Sequence, residues 1–189
     1  MSPKFRCLIS ALTIAAAAAC ALMPGPSIAG TAAEIDSNVD KALASLYAQV
    51  PEAKKLGETS KAILVFPRII KGGLILVGGS GGEGALRVNG KTAGYYSSIA
   101  VSYGLQLGAQ WFGYAMFFMT DEAHGYLDSS DGWEVGTAPS VVMVDKGAAA
   151  GFSSTSLKDD IYVFFFEQKG LMAGLGLQGT KISKISPDQ

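Results

Sequence analysis

Residues 78–84, GGSGGEG, satisfy two functional patterns at once. Gly79-Ser80-Gly81-Gly82-Glu83-Gly84 fits G-x-G-x-x-G, the turn that lets a backbone approach a dinucleotide pyrophosphate. Gly78-Gly79-Ser80-Gly81-Gly82 fits G-x-S-x-G, the elbow that presents a serine nucleophile. Both chemistries need a helix directly after the glycines. Here two strand-like runs follow instead, on either side of Asn89-Gly90, the strongest short hairpin signal. No acidic residue lies between Glu83 and Asp121 to hold a ribose. The single histidine, His124, stands three positions from Asp121 on one short helix, too near for a triad drawn from separate loops. Gly90-Lys91-Thr92 ends like a phosphate-binding loop, but the glycine that loop needs at position 85 is Ala85. His124 with Asp121, Glu122 and Asp128 makes a poor zinc set and lacks calcium-loop spacing. The expectation is a protein that is not an enzyme, with no cofactor and no bound metal.

One basic cluster stands out: Lys54, Lys55, Lys61, Arg68 and Lys71. Its plain reading is solvated loop charge. Its functional reading is contact with phosphate head groups, each cation adding about 1 kcal/mol near an anionic surface.

The elements that must carry these residues are β-rich. Every odd position from Ile99 to Trp111 is apolar, and every even position from Ser98 to Gln110 is small or polar. That period of two gives a strand with one greasy face and one nearly bare face. Residues 61–66 read as a strand stopped by Pro67, residues 74–77 as a second, and residues 78–84 as a glycine-rich loop. Further strands are expected at 85–88, from Lys91 onward, and at 114–119, 141–144, 151–156, 161–166 and 171–177, with a turn at 129–132. Residues 31–50 carry Ile35, Val39, Ala42, Leu43, Leu46, Tyr47 and Val50 at helical spacing, with Glu34, Asp36 and Asp40 near the start. Pro51 opens a second short helix that Gly57 should end, and Thr120 should cap another.

Before all of these comes a leader. Lys4 and Arg6 precede an apolar run, Pro24-Gly25-Pro26 breaks it, and Ser27-Ile28-Ala29 closes it. This is the order of a secretory signal peptide spanning residues 1–29. The alternative is a lipoprotein signal ending before Cys20, which would then be lipidated. Cleavage after Ala29 removes Cys7 and Cys20, the two cysteines of the chain, and so removes thiol chemistry. It also leaves thirteen basic against sixteen acidic residues, a net charge of -3 where the full chain has -1. That balance argues against nucleic acid as a partner. Residues 30–189 read as a single domain.

Several segments together resemble the SYLF domain family: KAILVFPRIIKGG, then SIAVSYGLQLGAQ, then MTDEA, then IYVFFFEQKGLMAGLGLQGTKI. The resemblance runs from about Leu56 to Ile182. It implies a lipid-binding module without known catalytic activity. Eukaryotic relatives bind phosphoinositides and some bind actin; bacterial relatives are typically single-domain periplasmic or membrane-attached proteins. The phosphoinositide binders carry a basic N-terminal helix, whereas this one begins acidic. Arg68 and Lys71 in the FPRIIKGG segment are the matching head-group candidates. The expected fold is mostly β (α+β), a twisted antiparallel sheet, closed or sandwich-like, with the N-terminal helix packed on it. The expected function is non-enzymatic binding of phospholipid or a membrane surface in the bacterial periplasm or envelope. The alternative is a structural or protein-interaction module of the envelope, with an envelope protein as its partner.

Overall fold

Asn89 and Gly90 take φ of 50° and 76°, the left-handed pair that a two-residue hairpin turn requires. They join β1 (Ala62–Val88) to β2 (Lys91–Phe118). The two strands pair antiparallel from Val88↔Lys91 out to Ala62↔Phe118. A straight strand of 27 residues would reach about 90 Å at ~3.3 Å per residue. The hairpin instead folds in the middle. A Cβ on Gly84 would collide with the carbonyl of Val65, and one on Gly82 with the carbonyl of Arg68, so the two ends of β1 lie face against face. The structure, a computed structural model, describes residues 30–129, 133–134, 140–144, 159–174 and 177–188. The leader with Cys7 and Cys20, most of the 129–132 turn and the strand expected at 151–156 lie outside these residues.

The remaining strands dress β2. β5 (Ile161–Gly174) pairs with residues 106–118 and β6 (Leu177–Ile185) with residues 95–103, both antiparallel. β3 (Trp133–Glu134) adds to β6, and β4 (Val141–Val144) runs parallel to β5. The fold is therefore mostly β, as expected, but the sheet is mixed where an all-antiparallel one was expected. Of the closed and sandwiched alternatives, closure fails: the sheet is open and folded upon itself.

Three helices complete the described fold. α1 (Ala32–Gln49) starts at a capping box in which the Thr31 hydroxyl accepts from the Glu34 amide at 3.3 Å and the Glu34 carboxylate accepts from the Thr31 amide at 3.0 Å. Its face of Ile35, Val39, Ala42 and Leu46 is buried on Val65, Ala115, Phe117, Tyr162 and Phe164 of the sheet. Ile35, Val39 and Leu46 each contribute about 1.5–3 kcal/mol on burial. α2 (Pro51–Thr59) adds Ala53 and Leu56. α3 (Asp121–Ser129) is capped as expected, the Thr120 hydroxyl accepting from the Ala123 amide at 3.2 Å. On the other face of the sheet Leu64, Phe66, Met116, Phe118, Ile161 and Val163 meet Leu86 and Tyr96 from the turn end of the hairpin and Ile182 of β6. No described helix is long and apolar enough to cross a membrane.

Three local expectations are corrected. Residues 78–84 are strand, paired with residues 96–102, and not a loop; their glycines are a surface on which another backbone can lie. Pro67 does not stop β1. It sits where the register shifts between Phe66 and Ile69, on a strand with β2 as its one partner among the described strands, the setting that tolerates a missing amide. Gly57 does not end α2, which continues to Thr59; a Cβ there would strike the Tyr47 hydroxyl. The expected short strands at 114–119 and 161–166 run within the longer β2 and β5, except that Met119 lies beyond the end of β2.

Candidate functional site

The basic cluster of the sequence is divided in space. Lys61 precedes β1 and pairs with Asp121 at 3.2 Å, both side chains exposed, an arrangement worth less than about 1 kcal/mol. Lys54 and Lys61 line a cleft with Asp40, Glu58 and Arg87, and Lys55 is exposed on α2. Arg68 and Lys71 lie on β1 near the fold of the hairpin. The Arg68 guanidinium stands 5.4 Å from the centroid of the Trp111 ring, within cation–π range. Lys71 is opposite Gln110 and half-buried.

The same fold of the hairpin exposes an apolar surface. Ile70, Leu74 and Val77 of β1 and Ile99, Val101, Tyr103, Leu107 and Trp111 of β2 are all exposed, Leu74 at 70% and Leu107 at 62%. The register sets Ile70 beside Trp111, Leu74 beside Leu107 and Val77 beside Tyr103, so these side chains form one continuous stripe. Gly72, Gly79 and Gly81 fill the β1 positions opposite Ala109, Val101 and Ile99. Cations stand at both ends: Arg68 and Lys169 by Trp111, and Lys181 opposite Ile99. Lys169 and Lys181 were not singled out in the sequence. The only signal for them there was their place in strands that pair with β2.

The bare face of β2 points inward. Tyr96, Ser98, Ala100 and Ser102 are buried. The Tyr114 hydroxyl donates to Ser98 Oγ at 2.8 Å, and burial pushes its phenol far above the usual range. Small side chains here let the halves of the hairpin close together. α1 is tied to the turn end by a second polar set. Buried Arg87 reaches Asp36 at 3.1 Å and Asp40 at 2.6 Å, and the Thr92 hydroxyl donates to Asp36 at 2.7 Å. The Tyr95 hydroxyl donates to Asp36 at 2.9 Å, and burial first, then that bond and charge, raises its phenol. Tyr95 shares its face of β2 with Ile99, Val101 and Tyr103. α1 thus covers one end of the face and leaves the fold of the hairpin bare.

Ser80, the candidate elbow serine, pairs with Ala100 inside the sheet, and no helix follows Glu83. The Glu83 carboxylate accepts from the Gly30 amide at 2.9 Å and so holds the start of α1. His124 is half-buried on α3. Among the described residues no three His, Cys, Asp or Glu side chains group as metal ligands.

These features define a mostly β, α+β fold whose most distinctive surface is an apolar stripe edged by cations. Residues 99–187, from that stripe to the end of β6, match the Ysc84 family, described as Las17-binding protein actin regulator. Over that span the match agrees with the SYLF domain family that the chain's segments resemble. The resembling segment that ends at Gly73 lies outside the matched residues. No curated protein matches the chain.

Proposed function

We propose that the protein is a non-enzymatic phospholipid-binding module that works at an envelope membrane after export. The observation that carries this reading is the apolar stripe: eight large side chains on adjacent strands, exposed together. Contiguous apolar surface on this scale marks a site of contact with a membrane, ligand or protein. A lipid surface matches its chemistry, acyl chains against Leu74 and Leu107 and phosphates against Arg68, Lys169 and Lys181. The family's association with lipid binding supports the reading, and the signal-like leader supports export to the periplasm or a membrane-attached site. Of the head-group candidates read from the sequence, Arg68 is the one set against the stripe. Lys54, Lys55 and Lys61 lie apart from the stripe, on α2 and just before β1.

Vesicle flotation tests this. The protein should float with vesicles of phosphatidylethanolamine and phosphatidylglycerol. Leu74→Asp with Leu107→Asp should weaken binding at least tenfold, since each leucine withdrawn from water is worth about 1.5–3 kcal/mol. Failure of the wild-type chain to float on any vesicle overturns the reading. A second reading, a protein partner for an envelope module, draws on β1, which pairs with β2 alone among the described strands. Its other edge offers backbone for strand addition. Failure of flotation would favour that reading.

A further inference from the structure

Two strands are irregular at one level of β2. On β1, Pro67 and Arg68 lie between the pairs Phe66↔Tyr114 and Ile69↔Phe112, so two residues oppose one on β2. On β5, Glu167 and Gln168 lie between Gly113↔Phe166 and Trp111↔Lys169, again two against one. Two bulges therefore flank Phe112 and Gly113 of β2 from opposite sides. Glu167 takes φ of 52°, a left-handed conformation that strains a residue with a side chain. Bulges and strained residues re-aim side chains, and they concentrate at binding sites.

Here they open a notch of ≈ 360 Å³ lined by Pro67, Arg68, Trp111, Gly113, Glu167 and Lys169 among others. That size lies at the lower end of ligand pockets, about 300–1,000 Å³. Arg68 lies over Trp111, which steadies the guanidinium while its N–H edges remain able to donate. Lys169 stands directly across from Trp111 in the register. Among the described residues neither cation has a carboxylate partner within ion-pair distance. The one acid in the notch is turned to other work: Glu167 Oε1 accepts from the Ser45 hydroxyl of α1 at 2.6 Å. Two cations against one engaged carboxylate leave the notch positive.

We propose that this notch binds a single phosphate ester, with Arg68 and Lys169 clasping its oxygens and Trp111 forming the floor. The site opens at one end of the apolar stripe, so the ester is the head group of a membrane phospholipid. That last step rests on the lipid reading above; the notch itself does not.

The test pairs two arms, both read against Arg68→Gln/Lys169→Gln and a charge-matched control, Lys54→Gln/Lys55→Gln. In the first arm, binding to vesicles containing phosphatidylglycerol should fall about thirty-fold in the notch variant, on ~1 kcal/mol per cation, and less than about threefold in the control. In the second arm, soluble glycerol phosphate should shift Trp111 emission saturably in a Trp133→Phe background, and the notch variant should abolish the shift. Unchanged thermal unfolding of the notch variant confirms that its fold is intact. Equal vesicle losses in both variants, with no response to the soluble ester, overturn the notch and leave the lipid reading standing. A response to the soluble ester without vesicle binding supports the notch and overturns the lipid source.

Discussion

The two ends of the β1–β2 hairpin and its middle are built from the same alternating sequence and meet opposite fates. Near the open end, Val65, Ala115 and Phe117 lie under α1, while Leu64, Met116 and Phe118 pack on the far face. Both faces there are core. In the middle only the inner face is covered, and the outer face carries Leu74, Tyr103 and Leu107 in the open. Burial of the first region holds the fold together. The second region exposes side chains that would stabilise the protein if covered, and nothing in the described structure covers them. The difference separates residues whose burial holds the fold together from apolar residues that the described structure leaves in the open.

Two substitutions on β2 sharpen this contrast most. Phe117 is fully buried and stacks edge-on against Phe164 with centroids 5.4 Å apart. Phe117→Ala should cost about 3–5 kcal/mol and shift the denaturant midpoint accordingly. Leu107→Ala, ten positions away, should change stability by less than about 0.5 kcal/mol. Comparable losses would mean that the stripe is covered in solution. A smaller effect separates two glycines of β1. Gly84→Ala places a methyl against the Val65 carbonyl and should cost about 1–3 kcal/mol by overpacking. A Cβ at Gly72, on the stripe, meets nothing within 4 Å, so Gly72→Ala should be neutral or mildly stabilising in thermal unfolding. A reversal of that order would show that the hairpin does not fold at this place.

The sequence carried much of this frame and little of the site. Alternation from Ile99 to Trp111 showed a strand and two unlike faces, and Asn89-Gly90 showed the turn. The spacing of Ile35, Val39, Ala42 and Leu46 showed the helix face that is buried. Thr31 and Glu34 stood at capping-box spacing, a signal strong enough to have fixed the start of α1. What alternation does not contain is which face ends up covered, because that depends on partners far along the chain. Here Ser98, Ala100 and Ser102 win the interior because small side chains let the halves of the hairpin close. Glycine misled at 78–84 for a related reason: it is frequent in loops, but it also suits strands that another backbone approaches. The basic cluster looked continuous in sequence because Lys54, Lys55 and Lys61 are near Arg68 in number. Lys169, roughly a hundred residues on, is brought to Arg68 only by the register of β5 on β2.

Trp111 lies on the stripe, between Ile70 and Lys169, and reports most directly on whether this face enters a bilayer. In a Trp133→Phe background, its emission should be quenched by vesicles whose lipids carry bromine near the top of the acyl chain, and less by bromine near the chain end. Quenching should vanish with Leu74→Asp/Leu107→Asp. Full emission on brominated vesicles that nonetheless float with the protein would contradict the account, because the chain would then be holding lipid by some other surface.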